Sequence, residues 1–165
     1  MKGIMRVLYL YAGIRKNVLA AWQRAQEPDN RLLGLNHLRR FGIAAEFLEN
    51  RWTELFRKIS FNATQFPAIV PSLQYDAVFS GSGLLALFIV KRVLRRKKPR
   101  WILFNTYFAN LLRRNRFGIK ANIIRAALAS ADAIISTSTH QNAVLAEHGL
   151  DPRKLFFIGE GFDRD

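Results

Sequence analysis

Four short stretches of this chain carry residue types able to do chemistry. AGIRKNV at 12–18 sets Gly13, which lets backbone approach a ligand closely, beside Arg15 and Lys16, two cations suited to a phosphate. GSG at 81–83 follows an apolar run ending in Ser80. If Gly81 and Gly83 open a helix, their N–H groups face an anion at its positive end, although a plain strand-to-helix turn accounts for the same residues. STSTHQN at 136–142 offers Ser138 or Thr139 as a helix cap and puts His140 in the first turn, where it donates to a sugar hydroxyl or phosphate, or is merely solvated. Asn105, Thr106 and Tyr107 follow another apolar run and can hydrogen-bond a sugar, but none takes a proton near neutral pH.

These groups bind rather than react, and no catalytic residue is assigned. HExxH, Walker A and GxSxG patterns are absent, and no pair of carboxylates falls in the loops where acid–base work would be placed. There is no cysteine, hence no disulfide or zinc-thiolate site. His37, inside an expected helix, and His148, at a helix end, read as structural or solvated, so no metal site is expected.

Charge adds a second theme. The net charge is +14, and residues 51–130 hold fifteen Lys and Arg against Glu54 and Asp76, so nearly all the excess lies in the middle. Two clusters stand out, Arg95, Arg96, Lys97 and Lys98 with Trp101 and Phe104 close by, and Arg113, Arg114, Arg116 and Lys120. Such blocks point to polyanions: nucleic acid, an anionic membrane face, or phosphorylated substrates. A solvated helix end explains the first cluster equally well.

The elements that must hold these stretches follow from periodicity. With 165 residues, half of them hydrophobic, the chain can bury one ordinary core. Met5–Ala12, Ile43–Leu48, Ala77–Ser80, Trp101–Phe104, Ala133–Ser136 and Lys154–Ile158 read as strands, closed by glycine, proline or polar residues. Helices are expected over Arg31–Phe41, Leu84–Arg96, most of Phe108–Ala131 and Thr139–His148, with 51–73 a helix broken before Pro67 and Pro71. Strands separated by helices imply an α/β fold, a doubly wound, mainly parallel sheet flanked by helices, with ligands at the carboxyl ends of the strands. The longest apolar run, LLALFIV at 84–90, is too short to span a bilayer, and Arg6 interrupts the apolar N-terminus, which reads as a first strand rather than a signal peptide.

The carboxyl-terminal third, ADAIISTSTHQNAVLAEHGLDPRKLFFIGEGFD at 131–163, resembles the end of the N-terminal domain in family 4 glycosyltransferases of the GT-B fold. The matching pieces are Ala131-Asp132-Ala133-Ile134-Ile135, Ser138, Leu145, Gly149, Lys154, Gly161 and Asp163. MRVLYLYAG at 5–13 is similar to the family's first strand and glycine loop.

The resemblance implies a Rossmann-like, acceptor-binding domain over 1–158 and the start of an interdomain linker over 159–165, with the catalytic carboxylates and most of the donor site in an absent C-terminal domain. It further implies retention of anomeric configuration, no metal, and no cofactor beyond a nucleotide-sugar substrate. Gly13, Arg15 and Lys16 would then form a donor-phosphate loop, and Ser80, Gly81, Gly83, Asn105, Thr106, Tyr107, Ser138 and His140 would meet a saccharide or lipid-linked acceptor. The two cation clusters would touch an anionic membrane or a phosphorylated acceptor. Cytoplasmic placement, peripheral on the inner face of the membrane, goes with that reading. A nucleic-acid-binding module and a non-catalytic remnant are the rivals. The buried-strand alternation and the lack of a recognisable nucleic-acid motif weigh against the first.

Overall fold

The computed structural model describes residues 4–11, 15–26, 32–49, 51–59, 65–81, 83–105, 107–115 and 118–159. The expectations placed on Gly13, Thr106, Arg116, Gly161 and Asp163 lie outside these.

Six strands pair in parallel in the order β2-β1-β3-β4-β5-β6. They are β1 Met5–Leu10, β2 Ile43–Phe47, β3 Ala77–Ser80, β4 Arg100–Asn105, β5 Ala133–Ser136 and β6 Leu155–Phe157. The pleat sends alternate residues to opposite faces. Leu8, Leu10, Val78, Trp101, Leu103 and Ile134 enter one core, and Val7, Tyr9 and Ala77 enter another on the opposite side.

The chain runs outward from β1 to β2, then returns past β1 to β3 and continues in that direction. Right-handed crossovers therefore separate the first helix from the later ones. Val18 of α1 (Lys16–Gln23) packs in the second core with Leu32 and Leu35. The first core takes α4 (Leu84–Phe88), α5 (Phe108–Arg114), α6 (Ile119–Ser130) and α7 (Thr139–Glu147). Between β2 and β3 come α2 (Arg51–Ile59) and the one-turn α3 (Ile69–Ser72). The winding is uneven: on the second face Ile102, Phe104 and Ile135 are only partly buried, and Phe156 is half-exposed.

Two expected helices are corrected. Among the described residues Leu32, Leu35, Leu38 and Phe41 do not form one continuous helix: Leu38–Phe41 makes a tight 3₁₀ turn, and residues 33–37 run through turns. Leu33 and Gly34 take left-handed φ values of 51° and 82°, and the hydroxyls of Tyr11 and Tyr9 donate to the carbonyls of Leu32 (2.5 Å) and Leu33 (3.3 Å). The leucines are thus buried by a turn pinned to β1, while the crossover helix is α1, which the loop reading of 12–18 overlooked. The helix expected over 84–96 is also shorter. α4 widens into a π turn at Ile89–Val93, and Arg95 adopts φ 51°, so Arg95–Lys98 lie beyond the helix rather than in its last turn.

Pro67 sits at the start of a 3₁₀ turn, Phe66–Ala68, and Pro71 lies inside α3. Gly118, at φ 94°, divides the expected 108–131 helix into α5 and α6. No helix among the described residues is long and apolar enough to cross a membrane.

Candidate functional site

Strand order reverses between β1 and β3, so the crevice of this sheet opens beside the carboxyl ends of those two strands. Leu10 pairs in register with Ser80, Ser80 with Leu103, and Asn105 with Ser136. At roughly 4.8 Å per strand, the loops after β1, β3, β4 and β5 share an edge about 14 Å long. Every described member of the expected acceptor set lies along it, as do Arg15 and Lys16.

At β1 the start of α1 is already occupied. The Arg15 and Lys16 amides both donate to the carboxylate of Glu49, which follows β2, at 3.0 Å for Lys16. A negative group there suits the positive end of the helix. The Arg15 guanidinium lies over the Tyr11 ring, 5.3 Å from its centre. Of the expected phosphate loop, the exposed Lys16 side chain faces solvent, while the two amides hold an internal carboxylate. Glu49 was not singled out from sequence; its signal was an acid directly after a strand.

The polar residues ending β3, β4 and β5 point inward. Ser80, Asn105 and Ser136 are fully buried. The Trp101 indole donates to Ser80 Oγ at 3.1 Å, Asn105 Nδ2 donates to Ser136 Oγ at 2.9 Å, and Asn105 Oδ1 accepts from the Phe108 amide at 2.9 Å. Ser80 and Asn105 therefore lock neighbouring strands and the start of α5. Gly83 is buried at φ 84°, and a Cβ there would stand 1.6 Å from Gln65 Oε1. Gln65 Nε2 donates to the Leu10 carbonyl at 3.2 Å, so this buried side chain ties the β1 end to the β3 loop. Sequence inspection missed it because a lone glutamine carries no spacing signal.

Of the described residues in the expected acceptor set, Gly81, Tyr107, Ser138 and His140 remain accessible along the edge. Ser138 is the N-cap of α7 in extended conformation, without a side-chain capping bond, and His140 is exposed in the first turn. Tyr107 packs on Phe108 with ring centres 4.7 Å apart, and burial pushes its hydroxyl to ionise above the usual tyrosine range. It also lines an apolar groove of about 810 Å³ bounded by α4, α5 and α6. Among the described residues no cluster of three His, Asp or Glu could hold a metal.

The cations divide between the two ends of the sheet. Arg96, Lys97 and Lys98 line a groove of about 550 Å³ with Lys91, Arg92 and Arg100, against the one acid Asp132. It lies where β4 and β5 begin, and six residues of β4 put it about 17 Å from the crevice edge. Arg113, Arg114 and Lys120 sit instead near the crevice end, at the close of α5 and the start of α6. Trp101 does not accompany the first cluster at the surface, because its side chain is fully buried.

No protein-family model matches the chain, and no curated protein matches it in sequence. Among the solved structures that share this architecture is Anabaena Alr3699/HepE, crystallised in complex with UDP and glucose. The match covers 96% of this chain and 45% of HepE, with a TM-score of 0.51 and 16% identity. At that identity the likeness to HepE is one of fold. This chain spans less than half the length of the HepE chain.

The residues on which the family resemblance rests have visible structural work. Asp132 accepts from Lys91 Nζ at 2.7 Å, the Trp101 amide at 2.7 Å and Arg100 at 3.2 Å, joining α4's extension to β4 and β5. Lys154 Nζ donates to the carbonyls of Ala129 and Ala131, both at 2.9 Å, and so caps the negative end of α6. Gly149 ends α7 at φ 84°.

Proposed function

We propose that this chain is the acceptor-side domain of a GT-B sugar transferase of family 4 type, using a nucleotide-sugar donor, with retention and without a metal. The observation that carries the reading is the shared fold over 96% of the chain with a protein crystallised with UDP and glucose, the two parts of such a donor. The catalytic carboxylates and most of the donor site would belong to the part of the enzyme that this chain does not match. In this reading Lys16 and Arg15 stand at the β1 end near the donor phosphates. Gly81, Tyr107, Ser138 and His140 face the acceptor, and Ser80, Asn105 and Gln65 hold their loops in place. The isolated chain transfers no sugar.

Titrating the ¹⁵N-labelled chain with UDP and with UDP-glucose tests this. Amide shifts confined to residues 11, 15–16, 81 and 138–140 are expected. The absence of any such response at millimolar nucleotide, or turnover of a nucleotide-sugar by the chain alone, would overturn the corresponding part.

The exposed cations support a further element, adsorption to an anionic membrane at about 1 kcal/mol per cation near the surface. Flotation with anionic vesicles should fall as salt rises. A polyanion-binding reading is favoured by the six cations of the 550 Å³ groove. A nucleic-acid shift assay run over the same salt series decides between them, since binding to nucleic acid with no flotation removes the membrane.

A further inference from the structure

We infer that the apolar groove between α4, α5 and α6 holds the hydrocarbon chain of an anionic lipid, with its phosphate at Lys120. This rests on the acceptor reading above and chooses a lipid-linked acceptor over a free saccharide. The groove's described lining includes Leu85, Tyr107, Leu111, Ile119 and Ile123, and its only charged member is Lys120. Ile119 is 81% exposed, Leu85 39% and Ile123 38%, so three large apolar side chains from two elements border one wet concavity.

Helix α6 explains how this arises. Ala121, Ile124 and Leu128 turn one face into the core, while Ile119 and Ile123, four residues apart, present a second apolar face outward. A surface helix with a single buried partner needs only the first face. The volume, about 810 Å³, lies in the range of small-molecule sites.

Chemistry selects the occupant. A saccharide has many hydroxyls that need partners, and beyond Tyr107 and Lys120 the described lining has no polar side chain, so burial there would leave most of them unsatisfied. An alkyl or isoprenoid chain has no such groups. At the rim Lys120 has no carboxylate partner among the described residues, nor do Arg113 and Arg114, which end α5 just past Leu111. An anionic headgroup supplies the missing charge. Leu85 follows the β3 loop and Tyr107 follows β4, so the groove opens beside the crevice, and a lipid seated in it presents its head to the strand ends.

The test uses the full 165-residue chain and decyl and dodecyl phosphate, each below the concentration at which it aggregates, followed by NMR. Amide shifts at 84–85, 107, 111 and 119–127 are expected, with about fifteenfold tighter binding for the two added methylenes. Ile119→Asp and Ile123→Asp, both at exposed positions, should weaken dodecyl phosphate at least tenfold with unchanged thermal melting. Lys120→Gln should bring dodecyl phosphate down to the affinity of dodecyl glucoside, and inorganic phosphate alone should not shift these amides. Equal binding of the two chain lengths, or full affinity in a folded Ile123→Asp variant, overturns the proposal. So does concentration-dependent self-association that shifts the same amides without lipid, since a second copy would then fill the groove. The nucleotide titration is read separately: UDP binding without alkyl phosphate binding removes the groove alone, and the reverse removes the donor reading alone.

Discussion

Replacing Asp132 by asparagine isolates a nearly buried ammonium and should show how the motif at 131–135 works. Lys91 Nζ lies 2.7 Å from the Asp132 carboxylate, with the Lys91 side chain 7% exposed and that of Asp132 25%. Removing the partner of a buried ion costs about 3–5 kcal/mol. Here Lys91 keeps a 3.0 Å bond to the Lys97 carbonyl, and the oxygen of the substituted amide could still accept from the Trp101 N–H, so about 2–3 kcal/mol is expected. The Arg100 pair, whose cation is 72% exposed, adds little. For a chain of this size that loss lowers Tm by about 4–12 °C.

Thermal and urea melts of Asp132→Asn, Lys91→Met and the double variant measure it. The double variant should be less destabilised than the sum by about 1 kcal/mol or more, because removing the ammonium removes the reason for the carboxylate. Burial pushes the Asp132 carboxyl up, but the bonds from Lys91, the Trp101 amide and Arg100 outweigh it and hold the group below its ordinary value. A lowered folded value means that the contribution is full above the unfolded carboxylate range near pH ~3.9 and is lost as pH falls below it. The gap between parent and Asp132→Asn should therefore hold at neutral pH and narrow as pH falls below about 4. A variant melting within about 2 °C of the parent at neutral pH, or strictly additive effects, would refute the reasoning.

Three other outcomes are expected. Gly83→Ala should destabilise by about 1–3 kcal/mol in urea melts, because φ 84° is strained for alanine and its Cβ displaces Gln65 from the Leu10 carbonyl. Lys154→Met should cost about 1 kcal/mol and speed amide exchange in the last turn of α6 rather than elsewhere, since two carbonyls at the end of α6 lose their cap. All four tyrosines ionise late: burial pushes Tyr9 up to about 12 and raises Tyr11, Tyr75 and Tyr107. Because raised folded values give stability that is full below pH ~10 and lost above it, phenolate absorbance should rise cooperatively with alkaline unfolding rather than as a simple titration near pH ~10.

Strands β3, β4 and β5 and helix α7 were legible because each apolar run is bounded by glycine, proline or polar residues that no buried segment continues through. The same logic failed at 31–41. Leu32, Leu35 and Leu38 repeat every three residues whether a helix or a turn buries them, and what decided between the two was the pair of tyrosine hydroxyls arriving from β1. At the crevice, the loops carrying Arg15, Gly81, Tyr107 and His140 could be named from strand ends alone. Glu49 and Gln65 could not, since their roles depend on segments 33–34 and 55 residues away in the chain.

Sequence by itself determined the alternation of strand and helix, the parallel sheet that follows from it, and a cationic middle, because these depend on local periodicity and on summed charge. Only the tertiary structure decided which polar groups remain available. Ser80 and Asn105 look like ligand contacts along the chain but are consumed by Trp101, Ser136 and Phe108. Buried polar atoms must find partners, and those partners come from other strands. The cations were likewise divided by the fold: Arg95–Lys98 at the start of β4, Arg113, Arg114 and Lys120 beside the crevice, with the length of one strand between two clusters that the sequence runs together.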